Sequence, residues 1–410
     1  MAAQVLSRTE QAQSPVSRPV VFSVDQSKSM RDQAVPGHNR WHPDVPPVAT
    51  VRPGTEFRVE CREWTDGQLK NSDSANDVRD ANLSVAHMLS GPIAVEGAEP
   101  GDLLVVDILD LGPCLPPQER GEAPGQGWGY TGIFAKTNGG GFLTDYFPDA
   151  YKAIWDFHGI YATSRHIPGV RYAGITHPGL FGTAPSAELL AEWNRREREL
   201  INRDPNRVPP LALPPLEDGV LAGKLSGEQL AKIGREGART VPCVPGANFS
   251  GGDLHFSQGD GEITFCGAIE MGGYIDFGVD LIKGGMEKYG QLANPIFFPG
   301  PVEPRYSTFL SFIGFSVEDG TNYYMDATVA YRRACLNAIE YLKKFGYSGA
   351  QAYSILGTAP VQGHISGVVD IPNSCSTVYL PTAIFDIDVR PSASGPTRID
   401  PGQGVPRASF

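Results

Sequence analysis

Glycine and proline punctuate this chain so densely that long helices have almost nowhere to form. The 48 glycines and 35 prolines are spread through apolar segments and not gathered into linkers. In a helix interior a glycine costs about 1 kcal/mol and a proline about 3 kcal/mol relative to alanine, whereas both suit tight turns between strands. The runs "EFRVECREW" (56–64), "GDLLVVDILDLG" (101–112) and "TFLSFIGFSVE" (308–318) therefore read as strands, the second a buried one fed by the Pro100–Gly101 corner of "AEPGD". The fold class that follows is mainly β, a β-rich α+β protein with mixed sheets in a sandwich-like core and a few peripheral helices.

Two segments escape the punctuation. "SAELLAEWNRRERELINRD" (186–204) opens with Ser186 as a cap and Glu188 in its first turn. "DATVAYRRACLNAIEYLKKFGY" (326–347) spaces Val329, Leu336, Ile339 and Leu342 along one helix face and stops at Lys343, Lys344 and Gly346. Residues 1–35 are polar and read as a flexible lead-in, from which only "PVVFSVD" has strand character. Residues 36–390 read as a single catalytic-sized body, 203–245 as a Pro-rich and then briefly helical surface excursion, and 391–410 as a disordered or draped tail.

A net charge of −12 and a pI near 5.2 argue against nucleic acid and against an anionic membrane surface, both of which need clustered Lys and Arg. A small neutral substrate is indifferent to that field, and an anionic product leaves it easily. No run reaches the roughly 18 apolar residues of a membrane helix, and the N-terminus lacks a basic start with an apolar core. Six scattered cysteines without a CxxC read as reduced thiols, so the expected compartment is the cytoplasm.

The eight histidines lie mostly in Gly- or Pro-containing stretches, where loops held by a rigid sheet commonly build sites. A lone histidine is more often a hydrogen-bonded structural residue than a catalyst. One stretch, "GGDLHFSQGDGEITFCGAIE" (251–270), gathers Asp253, His255, Gln258, Asp260 and Glu262 within ten positions. Extended backbone puts Asp253 and His255 on one face, suited to a metal ion or to a carboxylate fixing the imidazole tautomer. Beyond the turn, Glu262, Thr264, Cys266, Ala268 and Glu270 share a face. The plain alternative is a hairpin with acidic turn residues. In "GTAPVQGHISGVVDIPNSC" (357–375), His364, Asp370 and Asn373 accompany close-packing glycines. There is no G-x-S-x-G elbow, H-E-x-x-H or phosphate-loop pattern, which disfavours a serine hydrolase.

Taken together, "HNRWHPDVPP", "NSDSANDVRD", "GPIAVEGAEPGDLLVVDILD", "NGGGFLTDYFP", "IWDFHGIYATSRHIPGVRYAGITHPGLFG", "GDLHFSQGDGEITFCGAIEM", "LIKGGMEKYG" and "ACLNAIEYLKKFGYSGAQAYSILGTAPVQGHISGVVDIPNSC" resemble the acetamidase/formamidase family, most of all its formamidases, over about residues 36–390. The resemblance implies hydrolysis of formamide to formate and ammonia with slower action on other short aliphatic amides, a homo-oligomer, and a divalent metal, zinc being the usual suggestion. That metal would lie near Asp253, His255, Gln258, Asp260 and Glu262. The expected metal ligands are Asp253 and His255. Glu262 is the candidate general base, tuned by its neighbour Asp260, and His255 and Asp260 complete the catalytic set. His38, Trp41, Gln258 and His364 are candidates for binding the substrate, and Trp41, Tyr130, Trp155 and Phe157 for walling a small pocket. A metal-free route would use Cys266 as nucleophile with His255 as base.

One interval departs from the family pattern. "EGARTVPCVPGANFSGGDLH" (236–255) crosses almost directly a region where the family has a Gly-Gly-Asn-x-Asp segment and another strand. Alternatives to a formamidase are therefore a broader short-chain amidase, an acetamidase, or a non-catalytic β-rich binding protein.

Overall fold

The computed structural model describes residues 18–114, 126–174, 176–204, 219–238, 248–290, 295–298, 306–369, 371–402 and 404–405. Its sheets mix strand directions, as expected. In the first, β1 (Val20–Phe22) runs parallel to β3 (Thr55–Cys61), and β14 (Gly273–Ile282) lies antiparallel between β3 and the edge strand β5 (Leu103–Pro113). In the second, β2 (Ala49–Val51) runs parallel to β4 (Leu89–Val95), and β11 (Asn248–Gly252) joins β4 to β10 (Leu180–Thr183). The third is antiparallel throughout, in the order β12 (Leu254–Gln258), β13 (Phe265–Met271), β6 (Gln126–Ile133), β7 (Tyr151–His158), β8 (Tyr161–Ser164) and β9 (Arg171–Ala173). A smaller sheet sets β19 (Cys375–Pro381) between β15 (Phe309–Phe315) and β18 (Gln362–Gly367), beside the short ribbon of β16 (Val317–Glu318) and β17 (Thr321–Asn322).

The first two sheets face each other across aromatic side chains. Phe277 of β14 meets Phe249 of β11 edge-on at 5.5 Å, and Phe57 of β3 lies 6.0 Å from each. All three rings are buried, and each buried phenylalanine contributes about 1.5–3 kcal/mol of apolar transfer.

The helices are α1 (Asn76–Arg79), α2 (Ala187–Arg203), α3 (Gly227–Glu236), α4 (Gly285–Tyr289), α5 (Ala327–Lys344) and α6 (Gly349–Thr358). Both expected helices form where their caps place them: Ser186 accepts from Leu189 N–H, and Asp326 accepts from Thr328 and Val329 N–H. α6 was not anticipated. Every residue from Gln351 to Thr358 is buried, so it has no amphipathic stripe; only its Ser348/Gln351 capping box marks it in sequence. No helix among the described residues is long and apolar enough to cross a membrane.

Three expectations shift. The run 101–112 does form β5, but at a sheet edge with Ile108 and Leu109 exposed, because an apolar run alone does not distinguish an interior strand from an edge. The chain joins the packed body before residue 36: β1 pairs with β3, and Met30 is fully buried. The excursion after 203 also returns to the body, since Val220, Leu221 and Ala222 are buried. The tail is draped along the molecule, with Ile399 N–H bonded to Phe345 O and Gln351 Nε2 to Pro401 O. The departure from the family pattern falls largely on residues 239–247, outside the described residues, as does Asp370.

The site arises where the chain changes sheet. β11 ends at Gly252 in the second sheet and β12 begins at Leu254 in the third, with Asp253 between them at φ 63°. A non-glycine residue in this left-handed region is uncommon, and such backbone often marks a functional position.

Candidate active site and metal centre

Register brings the central pair together. His255 on β12 sits directly opposite Glu270 on β13, so their side chains leave the sheet on the same side. Asp253, His255 and Glu270 are all buried, and each offers a ligand atom within 4.8 Å of the others. From His255 Nε2 the distances are 3.0 Å to Glu270 Oε2, 3.6 Å to Asp253 Oδ1 and 3.9 Å to Glu262 Oε1. Glu262 arrives from the turn between β12 and β13, itself at φ 48°. Gly267 makes room for it, since a Cβ there would lie 2.2 Å from Glu262 Cγ.

The other imidazole nitrogen decides the tautomer. Nδ1 lies 2.7 Å from Gln258 Oε1, an oxygen that only accepts, so Nδ1 carries the hydrogen and Nε2 points its free position at three acids. Despite their 3.0 Å approach, neither His255 Nε2 nor Glu270 Oε2 is aligned to hydrogen-bond among the described residues. A lone pair aimed at buried carboxylates is repulsive unless a proton or a cation lies between them.

The acid–base properties express the same conflict. Burial pushes Glu270 well above the usual carboxylate range, with the charge of Asp253 adding to it. Burial also raises Glu262 to about 7, helped by Asp253 and opposed by His255. For Asp253 burial works upward, but His87 and His255 outweigh it and its pKa falls. Burial opposes a charge on His255, yet Glu270 and Asp253 prevail and hold the imidazole well above its ordinary value. A divalent cation among one nitrogen and these carboxylate oxygens would relieve the conflict, and the donor set fits such an ion.

Two further histidines approach from segments just before β4 and β10. His87 Nε2 lies 4.0 Å from Asp253 Oδ2, and its ring stands 5.1 Å from Trp64. His177 stacks on His255 at 5.8 Å while their backbones exchange hydrogen bonds. Its Nδ1 accepts from Gly179 N–H, and desolvation, with the charge of His255, pushes its pKa down to about 4. Nothing local in the sequence joins these residues to 253–270; only the sheet does. Glu270 was legible on the shared face, but its direct pairing with His255 depends on a bulged register that alternation does not reveal.

Other expected residues sit elsewhere. His38 is buried with both nitrogens engaged: Nδ1–H donates to Arg40 O at 2.9 Å, and Nε2 accepts from Ser250 Oγ at 2.7 Å. It ties the N-terminal loop to β11. Trp41 packs edge-on to it at 5.7 Å, in a small core with Leu190 and Trp193. Asp260 does not join the cluster; its carboxylate accepts from Gly363 N–H at 2.8 Å. The neighbour that raises Glu262 is thus Asp253, not Asp260. His364 is exposed on β18, and with Asp260 it lines a cleft of about 340 Å³ to which Asp253, His255, Glu262 and Glu270 contribute nothing. Tyr130, Trp155 and Phe157 are buried core residues: Tyr130 donates to Glu63, Trp155 Nε1 to Thr131 Oγ1, and Phe157 stacks on Phe256 at 4.0 Å. Cys266 is fully buried, and burial followed by the charges of Glu270 and Glu63 holds its thiol well above the ordinary range, the reverse of what a nucleophile needs.

The chain is 69% identical to an acetamidase of Mycolicibacterium smegmatis over 369 residues, covering 84% of this chain and 90% of the relative. It is 57% identical to a formamidase of Methylophilus methylotrophus over 410 residues, covering 94% of this chain and 98% of the relative. Both aligned spans are longer than the share of this chain they take up, so the relatives carry residues that it lacks. The solved structure of a gamma lactamase from Delftia acidovorans superposes with a TM-score of 0.89 at 55% identity, covering 95% of this chain and 99% of that one. The model of the Acetamidase/Formamidase family matches residues 23–387, and the chain belongs to that family.

Proposed function

We propose that this protein is a formamidase that hydrolyses formamide to formate and ammonia at the cluster of Asp253, His255, Glu262 and Glu270. One observation carries the reading: a buried imidazole whose Nε2 faces three acids and has no hydrogen bond among the described residues. Asp253, His255 and Glu270 would hold a divalent cation, for which the family resemblance favours zinc. Such an ion would polarise the amide oxygen and lower the pKa of a water.

The remaining work falls to side chains. Gln258 fixes the Nδ1–H tautomer of His255. Burial raises Glu262 to about 7 in the metal-free protein, and a cation beside it would lower that value and favour the carboxylate. The carboxylate takes a proton from the attacking water. The water oxygen bonds to the amide carbon, the C–N bond breaks, and Glu262 returns the proton to nitrogen. Formamide and water thus leave as formate and ammonium.

A broader short-chain amidase is the second reading, favoured by the acetamidase relative. Excluding one methyl group by size is worth only about 1–3 kcal/mol, so overlap between formamide and acetamide is expected. We also propose a homo-oligomer. That Cys61, Cys266, Cys335 and Cys375 form no disulfide among the described residues supports a reducing, cytoplasmic setting.

The test is ammonia release by purified protein from formamide, acetamide and a γ-lactam, with and without a chelator, alongside metal analysis. Formamide should be turned over fastest, and chelation should abolish turnover until a divalent ion is restored. Activity indifferent to chelation would remove the metal from the mechanism. No ammonia from any substrate, with metal bound, would leave a binding protein.

A further inference from the structure

The turn that carries Glu262 is held from outside the site. Gly259 N–H donates to Gly357 O in the last turn of α6 at 2.8 Å, and Asp260 N–H to Val361 O just past that helix at 2.9 Å. The Asp260 carboxylate accepts from Gly363 N–H on β18 at 2.8 Å, and Tyr331 Oη of α5 donates to Asp260 O at 2.6 Å. The fit at this clamp is close: a Cβ at Gly363 would lie 2.8 Å from the Tyr331 ring. Two residues later Glu262 stands at φ 48°, a conformation a glutamate adopts only when its surroundings impose it.

We propose that Asp260 and Tyr331 are positioning residues: together they clamp the 259–262 turn to α5 and β18 and so hold the Glu262 carboxylate at its place near His255. The proposal rests on the reading of Glu262 as general base. Asp260 then works through its acceptor oxygen and not its charge, which explains why an acid so near the cluster in sequence faces away from it. A displacement of about 1 Å at a reacting group can cost up to a hundredfold in rate, so two hydrogen bonds at this distance can govern turnover.

The experiment uses the full-length, metal-loaded protein and the variants Asp260→Ala, Asp260→Asn, Tyr331→Phe, Glu262→Gln and Asp260→Ala/Glu262→Gln. Asp260→Ala and Tyr331→Phe should each lower kcat on formamide on the order of tenfold or more, with KM little changed and bound metal at the parent level. Asp260→Asn keeps an oxygen for Gly363 N–H and should restore most of the lost turnover. In the double variant, removing Asp260 should cost nothing beyond the loss from Glu262→Gln, because both act through one group. Asp260→Asn as impaired as Asp260→Ala would show that the charge itself matters and overturn the proposal. So would full turnover in both Asp260→Ala and Tyr331→Phe, or additive losses in the double variant. Tyr331→Phe removes one hydroxyl, so the clamp can be tested even if Asp260→Ala folds poorly. Unimpaired Glu262→Gln is a separate result: it rejects Glu262 as base whatever the clamp variants do.

Discussion

At the scale of single residues, the central quantity is the proton affinity of Glu262. A base works only when ionised, and burial raises this carboxyl to about 7 in the metal-free protein. A bound cation would lower it, so kcat/KM should show an acid limb below 7 that falls about tenfold per pH unit. A glutamate at its ordinary 4.5 would leave the profile flat well into the acid range. Glu262→Gln should lower kcat by about 10²–10⁴ and erase that limb from the residual activity. A variant profile that keeps the parent's acid break would assign the limb to another group. The sequence made Asp253, His255, Gln258 and Glu262 visible because they crowd into one short polar, Gly-rich stretch where alternation shows which side chains share a face. It also misled, since Asp260 lies in the same stretch yet bonds to Gly363. His38 and Trp41 misled differently: a histidine between glycine and asparagine looks like a site loop, and only coordinates show both its nitrogens already engaged.

At the scale of elements, capping chemistry was readable and burial was not. Ser186 and Asp326 announced α2 and α5, whereas α6 hid because a helix buried on all sides carries no periodic stripe. That helix packs against β12, β13 and β6, the strands that support the site, so its stability reaches the cluster indirectly. The Ser348 side chain accepts from Gln351 N–H, and Gln351 returns the bond to Ser348 N–H. Ser348→Ala should therefore cost about 1 kcal/mol, read as a lower denaturant midpoint with an unchanged slope. An unchanged midpoint would mean that tertiary packing alone holds the first turn of α6. β5 teaches the complementary point: its apolar run predicted a strand correctly, but whether a strand ends at an edge depends on which partners the whole sheet recruits.

At the scale of the molecule, the long specific runs identified the family, and family membership carries the fold with it. What such runs leave open is how the finished surface is used. One face of the β15–β19–β18 sheet is covered by α5, while the opposite face presents Ile313 and Phe315 about half exposed, at 50% and 54%. The register puts both on the same side, opposite Thr377 and Cys375 of β19. Apolar side chains arranged so on a β-face make it our candidate for the contact between copies that the proposed homo-oligomer would need. The cluster of Asp253, His255, Glu262 and Glu270 is built from one chain, so assembly and chemistry should separate. A double Ile313→Lys/Phe315→Lys variant should sediment as a smaller species than the parent and still release ammonia from formamide at a comparable rate per site. If the parent already runs as a monomer, or the variant keeps its mass, this face is not the contact between copies, and the two side chains are merely tolerated in water.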